Sequence, residues 1–127
     1  MLRRILGWFR GLFRREVVPA APRRRAAFIE GDEIPNELPA IDLLVAREND
    51  TLWSAAMRCP CGCGRRLEVM LLEGVKPRWN FWIDKEGYPT LHPSIWVADG
   101  CRSHFWLRSG AIVWCKPDDE ALRVFDD

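Results

Sequence analysis

The chain has 127 residues, which is enough for one small domain with a hydrophobic core and too few for two. Its formal net charge is only +1, but residues 1–25 hold eight arginines against one acid, so the remainder of the chain is acidic. No stretch approaches the ~18 consecutive apolar residues of a membrane-spanning helix, and arginines interrupt each early apolar run before a secretory signal can form.

Residues 1–18 are predicted to form a basic amphipathic helix. Apolar side chains recur at helical spacing from Leu2 to Val17, and most arginines occupy the other face. With Trp8 and Phe9 near its middle, this helix fits an anchor at an anionic membrane surface. The alternatives are that it folds back on the domain or orders on a partner. Residues 19–27, rich in proline and arginine, are predicted to be a solvated linker.

Residues 28–127 are predicted to form a mainly β domain built on a small antiparallel sheet. Four runs with strand character are found at 41–48, 52–57, 67–72 and 79–83. The clearest hairpin joins residues 104–108 to 111–115 through Ser109 and Gly110, a pair that suits a tight turn. Six of the seven tryptophans lie in this β region, and most of them are expected to build the core.

Three cysteines, Cys59, Cys61 and Cys63, stand within five positions in a turn-forming context of proline and glycine. Cys101 and His104 follow about forty residues later, at the spacing of a second metal-binding turn. Thiolates with an imidazole form a tetrahedral shell for a soft cation, so these five residues predict a Zn²⁺ site. Four ligands suffice, and the spacing leaves open whether Cys61 or Cys63 accompanies Cys59.

The remaining histidine and cysteine are interpreted differently. His92 has no paired ligand nearby in sequence and is expected to have a structural role. Cys115 ends the hairpin and is expected to be a small buried residue, with approach to the metal across the hairpin as the alternative. Five cysteines, four of them clustered, indicate metal binding in a reducing compartment rather than disulfides, and so predict a cytoplasmic protein. Binding of the helix 1–18 to lipid would place this protein peripherally at the inner membrane face.

A set of motifs resembles a family of small bacterial and phage proteins of unknown function. The motifs are the cysteine cluster at 59–64, Thr-Leu-His-Pro-Ser-Ile at 90–95, Cys-Arg-Ser-His-Phe-Trp at 101–106 and Gly-Ala-Ile-Val-Trp at 110–114. The resemblance covers roughly residues 40–116. It implies zinc at the Cys/His positions and, because some members are encoded beside ubiquitin-like conjugation genes, an accessory role in such a modification or defence system.

The sequence is compatible with three functions. A complete ligand set leaves no coordination position for substrate, which favours a non-enzymatic zinc-stapled adaptor with a protein partner over an enzyme. The second is a zinc ribbon that binds nucleic acid through the basic residues 2–25, although the domain itself is acidic. The third is a transfer enzyme that uses a thiol left free by the metal. The sequence shows no small-molecule substrate.

Overall fold

The computed structural model describes residues 22–115 and places eight β-strands in them. The predicted helix 1–18 lies outside the described residues, as do the first part of the linker and residues 116–127. The strands are β1 (Ala26–Glu30), β2 (Leu43–Glu48), β3 (Thr51–Arg58), β4 (Arg66–Met70), β5 (Asn80–Ile83), β6 (Pro89–Trp96), β7 (His104–Arg108) and β8 (Ala111–Trp114). The mainly β prediction is therefore confirmed.

The strands divide into two sheets of four, in the orders β1-β2-β3-β4 and β5-β6-β7-β8. We call these the first and the second sheet. In the first sheet β2, β3 and β4 pair antiparallel, whereas β1 adds in parallel to β2. The sequence indicated a single antiparallel sheet and did not predict the division into two. Strand pairing depends on packing between residues that are distant in the sequence, which local patterns do not show.

All pairs in the second sheet are antiparallel. The β7–β8 connection is the predicted two-residue turn, in which both Ser109 (φ 46°) and Gly110 (φ 77°) have positive φ. A Cβ on Gly110 would lie 2.5 Å from the carbonyl oxygen of Arg24, so this close approach admits only glycine. The β6–β7 register is interrupted between Leu91 and Ile95. Beyond the interruption, Trp96 pairs with His104.

One hydrophobic core joins the two sheets. The first sheet contributes buried side chains such as Leu43, Val45 and Met57, and the second contributes Leu91 and Phe105, all at most 1% exposed. Along β7 the buried and less buried positions alternate, as a strand with one face on a core requires. The core is aliphatic around a central phenylalanine.

The tryptophans do not build this core, contrary to expectation. Trp82 and Trp114 are each 49% exposed, and the other four in the β region are half-buried. Trp79 and Trp53 pack against the margins of buried clusters. Strand pairing explains part of this departure from the expected core. Trp106 pairs with Val113, and Trp96 pairs with His104. Because side chains alternate along β7, these residues lie on the opposite side of the sheet from the buried Phe105 and Leu107.

Six of the eight strands were predicted from sequence within a few residues. The two missed strands are β1, which lies partly in the predicted linker, and β6, whose two prolines hid its strand character. Arg24, expected to be solvated, is buried and donates from Nη1 to the carbonyl of Ile41 at 2.6 Å. Over the described residues, the structure contains no helix of the length and apolar character that crossing a membrane demands.

Candidate functional site: a four-thiol group beside a Ser–His pair

The turn between β3 and β4 carries three of the thiols. Its base is closed by the Cys59 amide, which donates to the carbonyl of Arg65 at 2.8 Å, and the Gly62 amide donates to the carbonyl of Cys59 at 3.2 Å. Positive φ at Gly62 (91°) and Gly64 (83°) lets the chain fold tightly enough for these bonds. Within the turn, the Cys63 amide donates to Cys61 Sγ at 3.4 Å. Amide donors aimed at sulfur favour the thiolate form.

The turn between β6 and β7 carries the fourth thiol, Cys101. This turn ends where the Val97 amide donates to the carbonyl of Ser103 at 2.7 Å. Two positive φ values, at Gly100 (66°) and Arg102 (54°), reverse the chain. Because one turn belongs to the first sheet and the other to the second, the thiols meet where the two sheets come together.

The structure brings Cys59, Cys61, Cys63 and Cys101 into one group, with all four sulfurs within 4.8 Å of one another. Cys59 Sγ lies 3.4 Å from Cys61 Sγ and 3.6 Å from Cys101 Sγ. In a tetrahedral zinc site with Zn–S bonds of about 2.3 Å, sulfurs lie about 3.8 Å apart. The four thiols therefore fit a soft divalent cation, and four sulfur ligands complete the shell of such an ion. All five cysteines of the chain are described, and none forms a disulfide.

The four thiols differ in their acidity. Hydrogen bonds from Ser103 lower the pKa of exposed Cys101 to about 6. Burial raises the pKa of Cys59, which is 3% exposed, to about 12. The pKa of Cys61 is lowered, first by its hydrogen bonds with Cys63. Without metal, the thiols most easily deprotonated are therefore Cys101 and Cys61, both on the exposed side of the group.

His104, predicted from sequence as a metal ligand, does not belong to this group. Its Nε2 lies 2.9 Å from Oγ of Ser94. Ser94 lies near the end of β6 and His104 begins β7, and these strands are neighbours in the second sheet. A serine hydroxyl in hydrogen-bond contact with an imidazole nitrogen is the arrangement of a nucleophile and its general base.

The Ser–His pair is held from both sides. Ser94 is 6% exposed, and its carbonyl accepts a hydrogen bond from Nε1 of Trp79 at 3.3 Å. The Trp79 amide donates to Met70 of β4 at 2.8 Å, which ties the serine to the first sheet. On the other side, the carbonyl of His104 accepts from the Cys115 amide at 2.9 Å. The Ser94 and His104 side chains thus project from backbone that is hydrogen-bonded on each side.

The other two sequence-predicted residues take separate places. His92 is exposed, and its ring lies 5.5 Å from that of Trp106, centroid to centroid. Cys115 is half-buried, and neither residue belongs to the four-thiol group. Cys115 lies directly across the hairpin from His104, the adjacency that the hairpin predicted.

The fold and site define a small two-sheet β protein with a four-thiol group and a serine–histidine pair. The family model described as "Bacterial ubiquitination-like system serine protease (BubE)" matches residues 30–115, more than half of the chain, and the chain belongs to this family. The match includes both the thiols and the Ser–His pair. It agrees with the ubiquitin-like conjugation system that the motifs indicated. No curated protein and no solved structure matches this chain.

Sequence reasoning missed Ser94 as a functional residue. The residue stood inside the quoted Thr-Leu-His-Pro-Ser-Ile motif, but ten positions separate it from His104 and no spacing rule joins a serine to a histidine across two strands. The interpretation of His104 as a ligand also removed the imidazole from consideration as a base. The available signal was that two of the quoted motifs carry a serine and a histidine on segments that became the neighbouring strands β6 and β7.

Proposed function

We propose that this protein is a serine protease of a bacterial ubiquitination-like system, in which Ser94 is the nucleophile and His104 the general base. The observation that carries the proposal is the 2.9 Å contact between Ser94 Oγ and His104 Nε2. That distance lies within the range needed for direct proton transfer. The description of the family as a serine protease supports the same reaction class.

The reaction begins with neutral His104, whose Nε2 accepts the hydrogen bond from the Ser94 hydroxyl. As Oγ attacks the carbonyl carbon of the scissile bond, its proton passes to Nε2, and the imidazolium then gives that proton to the departing amine. Water then attacks the carbonyl carbon of the acyl-enzyme while His104 removes a proton from the water. The bond from that carbon to Oγ breaks, the imidazolium returns the proton to Oγ, and Ser94 regains its hydroxyl as the carboxylic acid product leaves.

The four-thiol group has a different task in this proposal, the binding of zinc as a structural ion. Four thiolates fill a tetrahedral shell and leave no position for water, so a metal held there supplies stability rather than hydrolytic chemistry. The ligands are Cys59, Cys61, Cys63 and Cys101, which includes both cysteines between which the sequence left the choice open. His104 is then available as a base.

The test uses the purified full-length chain, a fluorophosphonate probe that labels activated serines, and a ubiquitin-like protein of a bacterial ubiquitination-like system as the substrate. We expect Ser94→Ala and His104→Ala to abolish labelling and to reduce cleavage at least about 1,000-fold, because the two groups act as a unit. The matched control is Ser54→Ala. Ser54 is also buried, but among the described residues its hydroxyl has no hydrogen-bond partner, so its replacement leaves both readouts unchanged.

Labelling at a different residue, or cleavage retained by Ser94→Ala in folded protein, would overturn the assignment of the nucleophile. Metal content of each variant is measured in parallel. Because neither Ser94 nor His104 is a ligand in the proposal, both variants should retain the zinc of the unmodified chain.

A second candidate is the non-enzymatic adaptor that the sequence predicts. The observation in its favour is the closed four-thiol group, which is typical of structural zinc in interaction domains. In that case the Ser94→Ala chain would retain every measurable property, including capture of its ubiquitin-like partner. Nucleic-acid binding and thiol-dependent transfer have no comparable support from the described residues.

For both candidates we propose a protein partner and a cytoplasmic location. Five thiols without a disulfide support a reducing compartment. The membrane or nucleic-acid contact predicted for residues 2–25 involves mainly residues outside the described part of the chain. Fractionation of cells that express the full chain, compared with a chain lacking residues 1–21, tests the membrane contact.

A further inference from the structure

Ser103 stands between the two parts of the site. It is 5% exposed, and its Oγ lies 3.4 Å from Cys59 Sγ and 3.2 Å from Cys101 Sγ. A buried hydroxyl requires hydrogen-bond partners, and the partners of this one are two members of the four-thiol group. Of those two thiols, one belongs to the turn of the first sheet and the other to the turn of the second. The hydroxyl therefore contacts the thiol group across the junction of the sheets.

The backbone of Ser103 connects the same point to the Ser–His pair. Its carbonyl accepts from the Val97 amide at 2.7 Å, which closes the β6–β7 turn. His104 is the next residue, and it pairs with Trp96 immediately inside that bond. Ser94 lies two positions before Trp96 on the same strand. A displacement of Ser103 therefore moves His104 relative to Ser94.

We infer that Ser103 is a positioning residue that couples the four-thiol group to the Ser–His pair, so that metal binding holds His104 in contact with Ser94. This inference rests on the proposed function. When the sulfurs carry metal they are thiolates, and the hydroxyl donates its proton to one of them, in the way that groups around a metal orient its ligands. The bound ion then fixes Ser103 through two sulfurs, and the peptide bond transmits that position to His104.

The coupling has a consequence in each direction. Removal of zinc should lower the reactivity of Ser94 although no ligand touches the serine, and a lost Ser103 hydroxyl should weaken zinc binding although Ser103 is not a ligand. Neither effect is expected if the metal stabilises the sheets without reference to the Ser–His pair. The two measurements together therefore distinguish a coupled site from two independent ones.

The experiment compares the full-length chain with Ser103→Ala, Ser103→Thr and Ser54→Ala. Zinc affinity is measured by competition with the chromogenic chelator 4-(2-pyridylazo)resorcinol, and Ser94 reactivity by the rate of fluorophosphonate labelling with zinc bound. We expect Ser103→Ala to lower zinc affinity about 10-fold or more, as the loss of a hydrogen bond to a charged group implies, and to slow labelling by a similar factor. Ser103→Thr retains the hydroxyl and should restore both. Ser54→Ala, a buried serine away from both groups, should change neither.

A measurement on the unmodified chain covers the case in which the Ser103 variants do not fold. Hydrogen exchange at the Val97 amide should be slower with zinc bound than after chelation, while circular dichroism shows the chain still folded. The inference is overturned if Ser103→Ala binds zinc and labels at unmodified rates, or if zinc removal leaves both Val97 exchange and labelling of the folded chain unchanged. If the unmodified chain does not label at all, the proposed protease function fails. The zinc affinity of Ser103→Ala still reports on its contact with the thiols.

Discussion

The two sheets differ in the regularity of their strand pairing, and the Ser–His pair lies where the pairing of the second sheet is irregular. In the first sheet β3 and β4 pair residue by residue from Ser54 to Arg58, and its single irregularity lies between Ala46 and Arg47. In the second sheet the β6–β7 pairing is interrupted from Leu91 to Ile95, and Ser94, the proposed nucleophile, lies inside that interval. A regular ladder places side chains by alternation alone, whereas an interruption can aim one of them at a neighbouring strand.

The largest difference between the two sheets is expected in the alkylation of one thiol from each side of the junction. In the metal-free protein, Cys101 of the second sheet has a pKa lowered to about 6, and Cys59 of the first has a pKa raised to about 12. The thiolate is the nucleophile, so alkylation accelerates as pH rises through each pKa. We expect iodoacetamide to modify Cys101 with a midpoint near pH 6 and to leave Cys59 unmodified at pH 8, as peptide mass spectrometry can show.

Zinc-loaded protein is the control for that measurement, since bound thiolates are protected. A common midpoint near the ordinary thiol value of about 8.5 for both cysteines would show that the junction does not distinguish them.

The second prediction compares two phenylalanines. Phe105 of β7 is 0% exposed and contacts core residues of both sheets, whereas Phe28 of the edge strand β1 is 39% exposed. Replacement of Phe105 by alanine should lower the free energy of unfolding by about 3–5 kcal/mol, because it removes apolar contact and leaves a cavity. Phe28→Ala should cost less than about 1 kcal/mol, within the range of surface substitutions.

Urea denaturation followed by circular dichroism measures both values at saturating zinc. Equal losses for the two variants would mean that the sheets do not share the core described above.

The smallest expected effect comes from two indole groups. Nε1 of Trp79 donates to the carbonyl of Ser94, while the buried Nε1 of Trp53 has no hydrogen-bond partner among the described residues. Trp79→Phe should reduce kcat by about 5-fold, which corresponds to the loss of one neutral hydrogen bond of about 1 kcal/mol. Trp53→Phe should leave kcat unchanged, because that ring belongs to the first sheet and no donor is lost.

Steady-state cleavage of the ubiquitin-like substrate provides the values, with zinc content checked in each variant. If Trp79→Phe changes KM alone, the indole contacts substrate and does not position the nucleophile.

The amino-acid sequence by itself determined the features whose residues lie close together in the chain. The Cys-x-Cys-x-Cys turn, the Ser-Gly hairpin and most strands depend on local conformation, so alternation and turn residues were sufficient to predict them. Cys101 was also predictable as a partner of that turn, since thiols in this composition indicate a shared ion. The basic amphipathic helix of residues 1–18 stays a prediction.

Only the tertiary structure decided the division into two sheets and the partner of His104. Both depend on strand register, which is set by packing between residues distant in sequence and shifts at the β6 interruption. A serine and a histidine ten residues apart match no sequence motif that predicts their contact. The sequence was equally consistent with His104 as a metal ligand, and only the structure shows its imidazole in contact with Ser94. Residues close together in the chain were sufficient to predict the thiol group, whereas long-range strand pairing determined that Ser94 and His104 lie in contact.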